Sequence, residues 1–122
     1  MKKTKSLNIL VVDDEKEICR MFTKWLSLEE HRVKSALTGK KAIKLVKKKY
    51  YDIVFLDIIM PGIPAIEVLE KIKKISPKTK VIVITGKLMD VDKDLSSELR
   101  QKGASEFLQK PFQMKDINAW LV

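Results

Sequence analysis

The chain has one cysteine, one histidine, four glycines and four prolines in 122 residues, and each scarcity removes a class of function. With Cys19 alone no internal disulfide can form, which agrees with a reducing compartment, and the thiol is expected to pack as a small hydrophobe. Cys19 and His31 together cannot supply the ligand spacing of a zinc finger. With no second ligand near it, His31 is expected at the surface. The glycines do not gather into a spaced loop that could cradle a nucleotide, since Gly39-Lys40 and Gly86-Lys87 stand alone. No apolar run is long enough to span a bilayer, so no membrane role is expected. The basic start, Met1 to Ser6, leads into an apolar stretch that Asp13 and Asp14 interrupt. A secretory signal is therefore not expected, and a cytoplasmic location is.

What is present is charge and alternating apolar segments. Hydrophobic residues make up 45% and charged residues 34%, the balance of a soluble single domain large enough to bury a core. The net charge of +9 invites a nucleic-acid reading. The excess is almost all Lys, however, without interleaved aromatics, and such Lys normally solvate outer helix faces. Specific nucleic-acid binding by this chain is not expected.

Apolar runs alternate with helix-period segments five times, which predicts one α/β domain over residues 1–122 with a parallel sheet. The strands are read as Ile9–Val12, Arg32–Ala36, Ile53–Leu56, Val81–Ile84 and Glu106–Gln109. Between them run helical faces carrying Ile18, Phe22, Trp25 and Leu26, then Ala42, Leu45 and Val46, then Ile66, Leu69 and Ile72, then Val91, Leu95 and Leu99. Thr38-Gly39 opens the second helix, Pro64 suits the first turn of the third, Ser76-Pro77 stops it, and Gly103 closes the fourth. Trp25 and Trp120 read as core or interface residues. The chain stops while a brief last helix bearing Ile117, Trp120 and Leu121 is still apolar, as a short natural terminus or a segment cut from something longer would.

In open α/β sheets ligands bind beyond the carboxyl ends of the strands. There the expected strands deliver Asp13-Asp14, Asp57, Thr85 and Lys110. Three crowded carboxylates are costly to ionise unless a cation neutralises them, and oxygen ligands suit Mg²⁺, or Mn²⁺. An Asp can also attack phosphorus to give an aspartyl phosphate, with a Lys and a Thr stabilising the transferred oxygens. Taken singly, each residue has an ordinary role: Asp13 or Asp14 as a helix cap, Lys110 as a surface Lys, Thr85 as a strand terminator, Phe107 as core. One site accounts for all of the strand-end residues.

Val12-Asp13-Asp14-Glu15, Asp57 before Met60-Pro61-Gly62, Thr85-Gly86, and Gly103-Ala104 leading into Phe107-Leu108-Gln109-Lys110-Pro111-Phe112 together resemble a receiver domain of the two-component response regulators. The resemblance covers essentially the whole chain. It implies a flavodoxin-like, doubly wound five-stranded parallel sheet of order 2-1-3-4-5 flanked by five helices. It further implies Asp57 as phosphoacceptor, with Asp13, Asp14, Asp57 and the Ile59 backbone carbonyl around the divalent cation, and Thr85 and Lys110 on the phosphoryl group. Thr85 and Phe107 would form the switch, and the Lys110-Pro111 bond would be cis. The donor would be a sensor histidine kinase or a phosphotransfer protein, and the recipient of the signal an output domain or protein. The chain would catalyse only its own phosphorylation and dephosphorylation. Dimerisation on phosphorylation through the fourth and fifth helices is compatible with the family, although no specific residue supports it.

The sequence departs from the family pattern in places. Ala65 stands where a glycine is usual, behind Pro64. Ile59 and Lys87 occupy positions that in the family influence how water reaches the phosphorylated Asp. An apolar Ile59 cannot orient water, so slow self-dephosphorylation is expected. Phe107 replaces a frequent Tyr and has no hydroxyl to bond. Two alternatives remain: a pseudo-receiver that keeps the fold as an interaction module, and an aspartyl-nucleophile phosphohydrolase of the haloacid-dehalogenase type. The second needs Asp-x-Asp on the first strand, where this chain has adjacent Asp13-Asp14.

Overall fold

A computed structural model describes residues 6–86 and 93–121. The chain alternates strand and helix throughout: β1 (Asn8–Val12), α1 (Lys16–Leu28), β2 (Arg32–Ala36), α2 (Gly39–Lys48), β3 (Ile53–Asp57), α3 (Ala65–Ile75), β4 (Lys80–Thr85), α4 (Lys93–Gln101), β5 (Ala104–Gln109) and α5 (Met114–Asn118), which ends in a 3₁₀ turn over Ala119–Leu121. All strands pair in parallel in the order β2-β1-β3-β4-β5, as expected. Lys87 and Val91, both named above, lie outside the described residues. Among the described residues no helix is long and apolar enough to cross a membrane.

Between their end residues the central strands β1, β3 and β4 are apolar at every position, because both sheet faces are covered. On one face Leu10, Val12, Val54, Leu56, Val81 and Val83 pack against α2 and α3. On the other, Ile9, Val11, Phe55, Ile82 and Ile84 meet α1 and α5, where the Phe22 ring centre lies 4.8 Å from that of Phe55 and 5.3 Å from that of Phe112. Period-two alternation therefore sorts one strand's residues between two cores. Truncating a ring as buried as Phe22 costs about 3 to 5 kcal/mol.

Local chemistry sets the element ends. The Thr38 hydroxyl accepts the Lys41 amide and starts α2, while Gln113 and Asp116 form a reciprocal capping box at α5. Pro64 is the N-cap of α3, and Ser76 its C-cap. Gly103 follows α4 at φ +116°, a backbone shape that a side chain resists. Gly39 is required for a different reason: a Cβ there would meet Val68 Cγ2 at 2.5 Å, so α2 and α3 approach more closely than alanine allows. The Lys110-Pro111 peptide is cis.

Two expectations need correction. His31 is buried at 6% exposure rather than lying at the surface, because the Leu7 amide donates to its Nδ1 at 3.0 Å and ties the strand-one entrance to the α1–β2 turn. The last strand begins at Ala104, two residues earlier than read. Its pairing with β4 slips between Val81 and Ile82, whose partners are Ala104 and Glu106, so Ser105 is an extra residue in the ladder. Small residues after a helix-closing glycine look like a turn, although Ala104 already pairs with Val81.

Candidate functional site

The site is assembled by backbone pairing that continues past the strand ends. The Asp13 amide donates to Ala36 O at 3.1 Å, the Ile58 amide to Ile84 O at 3.2 Å, and the Lys110 amide to Thr85 O at 2.8 Å. The residues bearing functional groups are thus held by the sheet, with less freedom than a loop would give them. Asp13, Asp57 and Thr85 are buried, Asp14 is exposed, and Lys110 is partly covered.

Carboxylate oxygens of Asp13, Asp14 and Asp57 all lie within 4.8 Å of one another. Lys110 Nζ reaches into this cluster, 3.2 Å from Asp57 Oδ2, 3.3 Å from Asp13 Oδ2 and 3.2 Å from Glu15 Oε1. Asp57 Oδ1 accepts the Ile59 amide at 2.9 Å, which fixes the carboxylate plane from its other side. The Ile59 side chain points away from the core and is 65% exposed. Asp13 Oδ1 accepts the Glu15 amide at 2.9 Å, yet Asp13 does not cap α1, whose N-cap is Glu15 without a side-chain bond. The capping role does not account for Asp13.

Among the described residues, two buried side-chain oxygens make no hydrogen bond: Asp13 Oδ2, whose one contact is the ion pair with Lys110, and Thr85 Oγ1. Buried polar groups are nearly always satisfied, so a carboxylate oxygen held only by an ion pair inside a cluster of acids fits a divalent cation, and an unbonded hydroxyl at the end of β4 fits an incoming acceptor. The electrostatics agree. Burial pushes the Asp13 carboxyl up to about 6; the Glu15 amide opposes this and the nearby Asp57 charge adds to it. Burial alone would lower the Lys110 ammonium, but Asp57 and Asp13 outweigh it and hold Lys110 above the usual Lys range. The crevice therefore contains a permanent cation and more negative charge than that cation can offset.

The sequence reading brought together Asp13, Asp14, Asp57, Thr85 and Lys110, and the structure places all five at one crevice. It missed two contacts. Glu15, noted only as a third acid in a run, pairs with Lys110. The Arg100 guanidinium on α4 sits 4.8 Å from the centre of the Phe107 ring and covers that half-buried side chain. Nothing in the spacing of Arg100 and Phe107 marks them as partners, because the turn between α4 and β5 decides it.

A family model described as the response regulator receiver domain matches residues 9–121, and the chain belongs to that family. A curated relative, the uncharacterized transcriptional regulatory protein YkoG of Bacillus subtilis strain 168, is 30% identical over 112 residues, covering 92% of this chain and 48% of its own length. The chain thus spans about half of that relative. A CheY-like receiver domain protein from Methanospirillum hungatei JF-1 superimposes with a TM-score of 0.88 at 26% identity, covering 95% of this chain and 90% of that one. A receiver domain described as BeF3-activated DrrB gives a TM-score of 0.80 at 29% identity, with 95% and 94% covered.

Proposed function

We propose that Asp57 accepts a phosphoryl group from a partner's phosphohistidine, and that the modified chain presents a changed binding surface to an output domain or protein. The observation that carries this reading is the pairing of Asp57 Oδ2 with Lys110 Nζ at 3.2 Å, together with a Thr85 hydroxyl that is bonded to none of the described residues. Asp57 supplies the attacking oxygen: a new oxygen–phosphorus bond forms as the donor's nitrogen–phosphorus bond breaks and the imidazole leaves. The Ile59 amide holds the other Asp57 oxygen and so orients the nucleophile. Lys110 neutralises charge on the transferred group, and Thr85 donates its hydroxyl to a phosphoryl oxygen. Asp13, Asp14, Asp57 and the Ile59 carbonyl would hold Mg²⁺ or Mn²⁺, which offsets negative charge on the phosphoryl oxygens when bound.

The signal then passes to Phe107. A Thr85 hydroxyl drawn toward the phosphoryl group vacates space at the β4 end, and Phe107 on the neighbouring strand moves inward from beneath Arg100. The chain would work in the cytoplasm and modify only itself. Incubation with a small acyl phosphate and Mg²⁺, followed by intact-mass measurement, should add one phosphoryl group to the chain and none to Asp57→Ala. No addition to the unaltered chain would leave a pseudo-receiver, and equal addition to the variant would move the acceptor elsewhere.

A further inference from the structure

The excess positive charge is not spread over the molecule. Residues 31–51 contain eight Lys and Arg and no Asp or Glu, whereas the other 101 residues carry 17 cations against 16 acids. Nearly all of the +9 therefore belongs to one segment, β2 and α2 with their flanks. All eight side chains are exposed, and among the described residues none is paired with an acid. β2 is an edge strand, packed between α1 and α2, so this segment forms one side of the molecule. The opposite side, residues 93–121, balances five cations with four acids.

α1 extends the charged side. Lys16, Arg20 and Lys24 recur every four residues along the helix, on a stripe facing β2. Between that stripe and the end of β2 runs an open groove of about 410 Å³, which includes Cys19, Ser35 and Leu37 in its lining. Leu37 is 38% exposed there. The groove thus has a partly apolar floor and cationic walls. Its stripe is separate from the Ile18, Met21 and Trp25 side of α1, which packs toward the α5 end.

We infer that this groove and the adjoining β2–α2 face bind an acidic polypeptide segment of a partner protein, with an apolar side chain of that segment seated on Cys19 and Leu37 between Lys16, Arg20 and Lys24. Charge complementarity selects an anionic partner. The apolar floor selects a polypeptide. No aromatic ring lines the groove for bases to stack on, which argues against a single-stranded nucleic acid. Apart from Leu37 the groove offers no large exposed apolar residue, and the apolar side of α2 is buried, so this face lacks what a membrane-inserting helix needs. The inference does not depend on phosphorylation of Asp57.

The test uses the 122-residue chain, isotope-labelled, titrated at physiological salt with a Glu-rich synthetic peptide carrying one central Leu-Leu pair. The same titration is run with a Glu-rich peptide lacking the leucines, with a short DNA duplex, and with phosphatidylserine vesicles. Amide shifts should map to residues 16–24 and 31–48 with the leucine peptide. Affinity should fall at least about tenfold in Lys40→Glu/Lys44→Glu/Lys48→Glu, and several-fold in Leu37→Ser. Phosphorylation by the acyl phosphate should be unchanged in both variants. Binding of DNA or vesicles as tight as that of the peptide would overturn the inference. So would equal binding of both peptides, or shifts confined to other surfaces.

Discussion

At the scale of single residues, the site is defined by groups that lack what they need. The Thr85 hydroxyl is buried without a partner among the described residues, and leaving such a group unsatisfied costs about 1 to 3 kcal/mol. Valine has nearly the same shape without the polar atom. Thr85→Val should therefore leave the stability of the unphosphorylated chain unchanged or raise it by about 1 kcal/mol in denaturant titration, while abolishing any phosphorylation-dependent shift of the Phe107 ring signals. A loss of more than about 1 kcal/mol would mean that the hydroxyl is already bonded in the resting chain. Ile59 makes the complementary case. Its amide orients Asp57, but its exposed side chain gives water nothing to bond to beside that carboxylate. Ile59→Asn keeps the amide and adds a water-orienting group. Decay of phosphorylated chain, followed by mass, should speed up on the order of tenfold, equivalent to about 1.4 kcal/mol of barrier. An unchanged half-life would remove Ile59 from the control of water.

At the scale of elements, the fold was legible because strands buried on both faces must be apolar along their middles, and Ile9–Val12, Ile53–Leu56 and Val81–Ile84 are. The site was legible for the same reason: polar residues directly after such runs fall at one edge of the sheet. Legibility ended where a property depends on contacts between elements. His31 is polar and sits in a turn, yet it is buried because Leu7 donates to it. Ala104 lies before the strand read from the sequence and is paired with Val81, with Ser105 as the unpaired bulge residue after it. Arg100 reads as a solvated helix residue and lies over Phe107. Gly39 is similar, since its Thr-Gly setting announces a helix start but not the proximity of Val68 on α3. That contact gives a prediction. Alanine is ordinarily the better helix former, so Gly39→Ala would stabilise an isolated α2; here the Cβ must displace Val68, and overpacking of this kind costs about 1 to 3 kcal/mol. Thermal unfolding should show a lower Tm for Gly39→Ala and recovery in Gly39→Ala/Val68→Ala relative to the Val68→Ala single variant.

At the scale of the whole molecule, two buried titratable groups pull the acid stability of the fold in opposite directions. His31 is desolvated, so its folded value is below the ordinary 6.5. As pH falls through that ordinary value the unfolded chain takes up the proton first, and stability is lost. Asp13 is the reverse, because burial raises its folded value from 3.8 to about 6. As pH falls through 6 toward 4 the folded chain takes up the proton first, and stability is gained. In the unaltered chain without divalent cation the two trends oppose each other between roughly pH 6.5 and 5. Asp13→Asn removes one of them and also the repulsion with Asp57. At neutral pH this variant should be more stable than the unaltered chain, by on the order of 1 to 3 kcal/mol. On acidification from neutral to pH 5 its stability should fall more steeply, because only the His31 trend remains in the site-independent part of the fold. Mg²⁺ should raise the Tm of the unaltered chain at neutral pH and affect the variant little, since binding to the folded state alone is what stabilises it. Parallel pH profiles for the two proteins would show that burial does not raise the Asp13 carboxyl in the folded chain.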